Sequence, residues 1–175
     1  MKKIFINIFL FLFLILSIIT RANSNETQIA FVNLELILAK SNVGAKLHKS
    51  LKNKINKKYE DFIKKEDEIK KQQEAILKQK NILSKEELDK KISVYKNDLN
   101  NLINEKKKFD ISTNQERLSK IDSMIEKLNP ILSEYAEKNS IALIIQKKNI
   151  IMGKSNLDIT KDIMEIFNKK VKKIK

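Results

Sequence analysis

The chain has 175 residues, with 36 basic and 22 acidic side chains and a formal charge of +14. It holds no cysteine or tryptophan, one histidine, two glycines and one proline. That excludes disulfides, thiol nucleophiles, iron–sulfur clusters and thiolate zinc sites, and glycine-dense phosphate loops as well; 33% charge with so few helix breakers is the composition of long helices.

Lys2 and Lys3 precede an apolar stretch from Ile4 to Ile19, interrupted only by Asn7 and Ser17. Small residues then stand at Thr20, Ala22 and Ser24. The stretch falls short of the roughly 20 residues of a bilayer span. Residues 1–24 are therefore expected to be a secretory signal, cut after Ala22 or after Ser24, with an uncleaved anchor as the alternative. Either way the remainder is exported. Without Lys2, Lys3 and Arg21 it stays strongly basic.

Gln28 to Asn33 is a short apolar run with β-branched and aromatic members, which predicts a buried strand. Leu34 to Ala39 suits a helical turn, and Ser41-Asn42 offers caps for a long charged helix. Val43, Leu47, Leu51 and Ile55 are spaced by four. From Ile55 the spacing becomes 4-3-4-3 through Tyr59, Phe62 and Ile69 to Ile76, with Glu66 and Gln73 filling two of the slots. No Gly or Pro interrupts this pattern, so a helix is expected from about residue 42 to about Lys80, near 57 Å long. Ser84 and Glu87 form a capping box that starts a second helix after a break at 81–84. Its stripe is Leu88, Ile92, Tyr95, Leu99, Leu102 and Phe109. It loses phase across Asp110 to Arg117 and resumes from Leu118 to Tyr135. If the helices fold back on each other, partners should sum to near 165. Ile55 then lies opposite Phe109, and Val43 opposite the region of Ile121.

Pro130 removes a backbone donor inside the second helix and predicts a kink there. The helix should end near Lys138-Asn139. Ser140 to Ile145 and Asn149 to Met152 are apolar and β-prone, and Gln146-Lys147-Lys148 between them predicts a hairpin turn. After a polar loop from Gly153 to Asp158, Thr160 should cap a last helix with Ile163, Ile166, Phe167 and Val171 on its apolar face. The fold class is thus α+β and mostly helical. Residues 25–42 and 123–175 form a small β-rich head, and residues 43–122 a long antiparallel helical hairpin, a coiled-coil arm. So small a head buries little core, and oligomerisation through it is expected. Ile29, Phe31, Val32, Ile141, Leu143, Ile145 and Ile150 are the candidate interface residues.

No catalytic constellation is visible, and neither a cofactor nor a metal is expected; the chain reads as no enzyme. His48 lies on a solvated helix face. The carboxylates at 66–68 and 86–87 are interleaved with lysines, as on a solvated helix. Charge is more informative. Residues 43–82 carry twelve lysines against six acids. Lys54, Lys57, Lys58, Lys64, Lys65, Lys70 and Lys71 are the candidates for attracting an acidic partner or an anionic membrane surface. The competing explanation is compositional: 34 Lys against 2 Arg is what A/T-rich codons produce. Scarce Arg and the absence of a groove-reading motif argue against nucleic acid.

Ile29-Ala30-Phe31-Val32-Asn33, Ile37-Leu38, Ser41, Gly44 and Leu47, followed by Ala136-Glu137-Lys138-Asn139, Ile141 to Ile145 and Leu157-Asp158-Ile159-Thr160, resemble in their order the Skp (OmpH) family of periplasmic chaperones. Ser140 stands where that family commonly has Gly, and Gln146 where it commonly has an acid. The resemblance implies a jellyfish-like homotrimer. Its arms would surround a cavity that holds unfolded outer-membrane β-barrel precursors without ATP, and lipopolysaccharide or an anionic membrane surface is a further implied partner. A structural or adaptor coiled coil of the cell envelope is the alternative.

Overall fold

The structure, a computed structural model, describes residues 28–174. The expected signal at 1–24 lies outside the described residues. β1 is Gln28–Val32 and α1 is Leu34–Lys40. Asn33 caps α1, its Oδ1 accepting from the Leu36 amide at 2.9 Å. Ser41 is fully buried and caps the next helix, α2 (Asn42–Gln79), through the Gly44 amide. Gly44 is required there because a Cβ would lie 1.9 Å from the Leu38 carbonyl oxygen. Only a residue without a side chain lets the first turn of α2 press against the end of α1.

α3 (Lys85–Lys138) follows a tight turn. Ser84 and Glu87 make the capping box: the Glu87 amide donates to Ser84 Oγ, and the Ser84 amide donates to Glu87 Oε2. The bonds from the Ser84 hydroxyl and amide hold the Glu87 carboxyl below the usual carboxylate range. α3 runs on through Pro130. β2 is Ile141–Gln146 and α4 is Thr160–Lys170. No helix among the described residues is long and apolar enough to cross a membrane.

β1 and β2 pair in parallel, with Ile29 opposite Leu143, Ala30 opposite Ile144 and Phe31 opposite Ile145. Parallel strands need a long crossover, and here the whole α1–α3 excursion supplies it. Because strand side chains alternate, the sheet has two different faces. Ala30, Val32 and Ile144 pack on the core, while Ile29, Phe31, Leu143 and Ile145 lie on the other face. The core collects at one end of the molecule, from β1, α1, Val43, the last third of α3 (Met124, Leu128, Ile131) and α4 (Ile163, Phe167).

Three expectations need correction. The first is the second strand of the expected hairpin. Lys147–Asn149 is a 3-10 turn, residues 150–152 pair with nothing among the described residues, and Ile151 and Met152 stand in solvent. The chain is held back across β1 instead: Asp158 bridges Phe31 in parallel, the Ile159 amide donates to the Phe31 carbonyl oxygen at 3.0 Å, and Lys147 adds a bond to Asp158 at 2.7 Å over the Phe31 ring. The second is the cap of α4. Asp158 accepts from the Thr160 amide, whereas the Thr160 hydroxyl accepts from the Asn33 amide at 2.8 Å and joins the end of β1 to the start of α4.

The third is the register of the helix pair. Side-chain partners such as Lys54 with Glu116, Lys65 with Glu105 and Gln72 with Asp98 sum to about 170, with Lys58 to Glu105 the exception at 163, and Phe109 meets the rings of Tyr59 and Phe62. Side chains lean toward the N-terminus of their own helix. In an antiparallel pair the two sets lean toward each other's levels, so contacting residues sum higher than backbones at equal height.

Candidate functional site

The helix pair is held by a thin seam and by polar contacts along one side of it. Phe62 is the centre of the seam. It is buried, with T-shaped contacts to Tyr59 (5.7 Å) and Phe109 (5.8 Å), and the ammonium groups of Lys58 and Lys106 stand 5.0 and 5.6 Å from its ring. On one side of Phe62 runs a ladder in heptad steps. Lys58 and Lys65 both bond to Glu105, Gln72 to Asp98 and Gln79 to Lys91; one rung toward the core, Lys54 bonds to Glu116. Bonds from Lys58 and Lys65 hold the Glu105 carboxyl down at about 2. The opposite side carries two polar contacts, Tyr59 to Asp110 at 3.1 Å and Lys106 to Glu66. The Asp110 carboxylate pushes the Tyr59 phenol up.

The structure therefore divides the candidate lysines. Lys54, Lys58 and Lys65 are engaged in joining α2 to α3. Lys57, Lys64, Lys70 and Lys71 are exposed and make no ion pair among the described residues. Sequence reasoning did not separate the two groups, although the heptad spacing of Lys58, Lys65 and Gln72 against Lys91, Asp98 and Glu105 was there to find. The candidate interface residues also divide. Val32 is fully buried in the chain's own core, and Phe31 is covered by Lys147 and by Gly153, where a Cβ would approach the ring to 2.9 Å. Ile141, Ile145 and Ile150 are half-buried. Ile29 and Leu143, register partners on the outward face, are exposed.

At the core end, burial pushes the Asp158 carboxyl up, but Lys147 and Thr160 outweigh it and hold it below its ordinary value. Lys138 and Lys170 together hold Glu134 at about 2. Among the described residues no group of histidine and acidic side chains could hold a metal ion. What the arrangement offers is surface: two long helices with exposed apolar and cationic side chains, and an outward sheet face that is covered at Phe31 and open at Ile29 and Leu143.

Residues 28–167 match the family of OmpH-like outer membrane proteins. The chain belongs to this OmpH-like family. The match begins at β1, spans the helix pair and β2, and ends within α4 at the buried Phe167. Among solved structures, an OmpH-like protein of Caulobacter crescentus CB15 has the same fold, with a TM-score of 0.77 at 11% identity, covering 84% of this chain and 87% of that one. No curated protein matches.

Proposed function

We propose that this OmpH-like chain is an ATP-independent holdase of the periplasm, exported by residues 1–24. It would bind unfolded outer-membrane β-barrel precursors between helical arms and keep them from aggregating. The observation that carries the reading is the distribution of the core. Buried apolar side chains gather at the end formed by the strands, α1 and α4, and the 38 residues of α2 run about 57 Å away from them beside α3 on a single thin seam. Such a helix pair adds little to a core and presents much surface.

Three copies joined through the outward sheet face would cover Ile29 and Leu143 and the free edge of β2, which a lone chain leaves open to aggregation. Residues 25–42 and 123–175 then form the trimeric head, and residues 43–122 the arm. Lys57, Lys64, Lys70 and Lys71 would draw in acidic clients and anionic surfaces, lipopolysaccharide among them, by a field that salt screens.

The test is aggregation suppression. A urea-unfolded outer-membrane β-barrel protein is diluted into buffer with the purified mature chain and no nucleotide, and turbidity is followed. Suppression at near one trimer per client is the expected result. A folded helical trimer that suppresses nothing would favour the envelope adaptor, a coiled coil with one folded partner.

A further inference from the structure

The two sides of the helix pair differ. Over the core-proximal half one is closed by the ladder from Lys54–Glu116 to Lys65–Glu105, and only toward the turn does it open, between Ala75, Ile76 and the half-exposed Val94. Exposed apolar residues mark the other. Ile63 directly follows the buried Phe62, and Ile103 directly follows the buried Leu102, so each is turned by about 100° from the seam. Both turn toward the side of the Tyr59–Asp110 contact. Tyr59 is 42% exposed, Ile63 55% and Ile103 54%. Toward the core this side opens into a groove of about 480 Å³ between Leu38, Leu47, Leu51 and Ile121. Lys40, His48 and Arg117 line it against one carboxylate, Glu35.

We propose that this side of the helix pair, opposite the ladder, is the surface that takes extended apolar segments of non-native polypeptide, with the basal groove seating a bulky apolar side chain. The inference rests on the holdase reading and adds which side of each arm does the binding. Area argues for such an occupant over a second folded copy. Three half-exposed side chains offer on the order of 300 Å², against about 800 Å² per partner in a stable interface. They are also spread along the helices, which suits many weak contacts with a flexible chain. The cationic rim of the groove favours segments with acidic neighbours. The helices need not separate to bind, so the ladder and the bound segment do not compete.

The experiment uses the full mature chain with a photoreactive phenylalanine analogue at Ile63 or Ile103, and in parallel at Glu68 or Asn101 on the ladder side. Each protein is mixed with a urea-unfolded β-barrel polypeptide, irradiated, and scored for adducts alongside turbidity. Several-fold more adduct from positions 63 and 103 is expected. Equal or greater adduct from 68 and 101, with aggregation still suppressed, overturns the inference and leaves the holdase reading intact. Adducts between two copies from 63 and 103 overturn it as well. If the unlabelled chain suppresses no aggregation, the holdase reading fails and this inference with it. As a second line, Ile63→Asp/Ile103→Asp should keep its helicity by circular dichroism and lose suppression several-fold; retained suppression counts against the assignment.

Discussion

At Ser140 the backbone turns from α3 into β2 with φ 55, a left-handed conformation that costs a residue with a Cβ. A Ser140→Gly change should raise stability by about 0.5–1 kcal/mol, read as a higher urea midpoint at unchanged slope. Gly44 predicts the opposite. Gly44→Ala places a methyl group against the Leu38 carbonyl, and overpacking of this kind costs about 1–3 kcal/mol. A variant as stable as the parent would refute the close approach. Tyr135 titrates late for a comparable local reason: its hydroxyl donates to Asp162 at 2.7 Å, which pushes the phenol up to about 12. A raised folded value means that this bond stabilises the fold while the phenol is protonated, and that its contribution is lost as pH rises through about 12.

The helix pair is the element on which function and stability meet. Phe62→Ala removes the ring that joins Tyr59 and Phe109 and should cost about 3 kcal/mol, with helicity lost first between residues 50 and 115 by hydrogen exchange. Glu105 supplies an acid-sensitive contact. Its folded value, about 2, lies below its unfolded one, so its pairing with Lys58 and Lys65 contributes above the unfolded value and is lost as pH falls through about 2. Glu105→Gln should therefore be less stable than the parent at neutral pH, and the gap should close on acidification toward that value; a constant gap sinks the pairing. The two helices and their break were legible, because a stripe at 4-3-4-3 spacing and a Ser–Glu capping box act over a few residues. Their side-chain register was not, because the lean of each side chain along its helix shows only when two helices are set side by side.

For the whole molecule, the proposed trimer turns on the outward sheet face. Leu143 is the informative position because it is exposed in the single chain, so a polar residue there leaves the chain's own core intact. Leu143→Asp should yield folded monomers in light scattering; an unchanged trimer removes this face from the interface. Client capture turns on the unpaired lysines. Reversing Lys57, Lys64, Lys70 and Lys71 to Glu should weaken capture at low salt more than at high salt, with unfolding little changed. Reversing Lys58 and Lys65 should instead destabilise the helix pair, since both hold Glu105.

Length, spacing and breakers were enough, taken alone, for an α+β chain with strands near its ends, a long helical excursion between them and a family resemblance carried by the order of short apolar runs. These are properties of neighbouring residues, and the physics that sets them is local. Tertiary structure decided where the chain goes after Gln146. Asn149 to Met152 has the composition of a strand, yet the loop that follows is bound to β1, more than a hundred residues earlier, through the Ile159 amide on the Phe31 carbonyl oxygen, and Lys147 joins that loop at Asp158. It also decided which lysines bind the chain to itself and which way each strand residue faces. A lysine is committed or available according to what stands across from it, and Val32 is core while Leu143 is surface because α4 and α1 cover one face of the sheet and not the other.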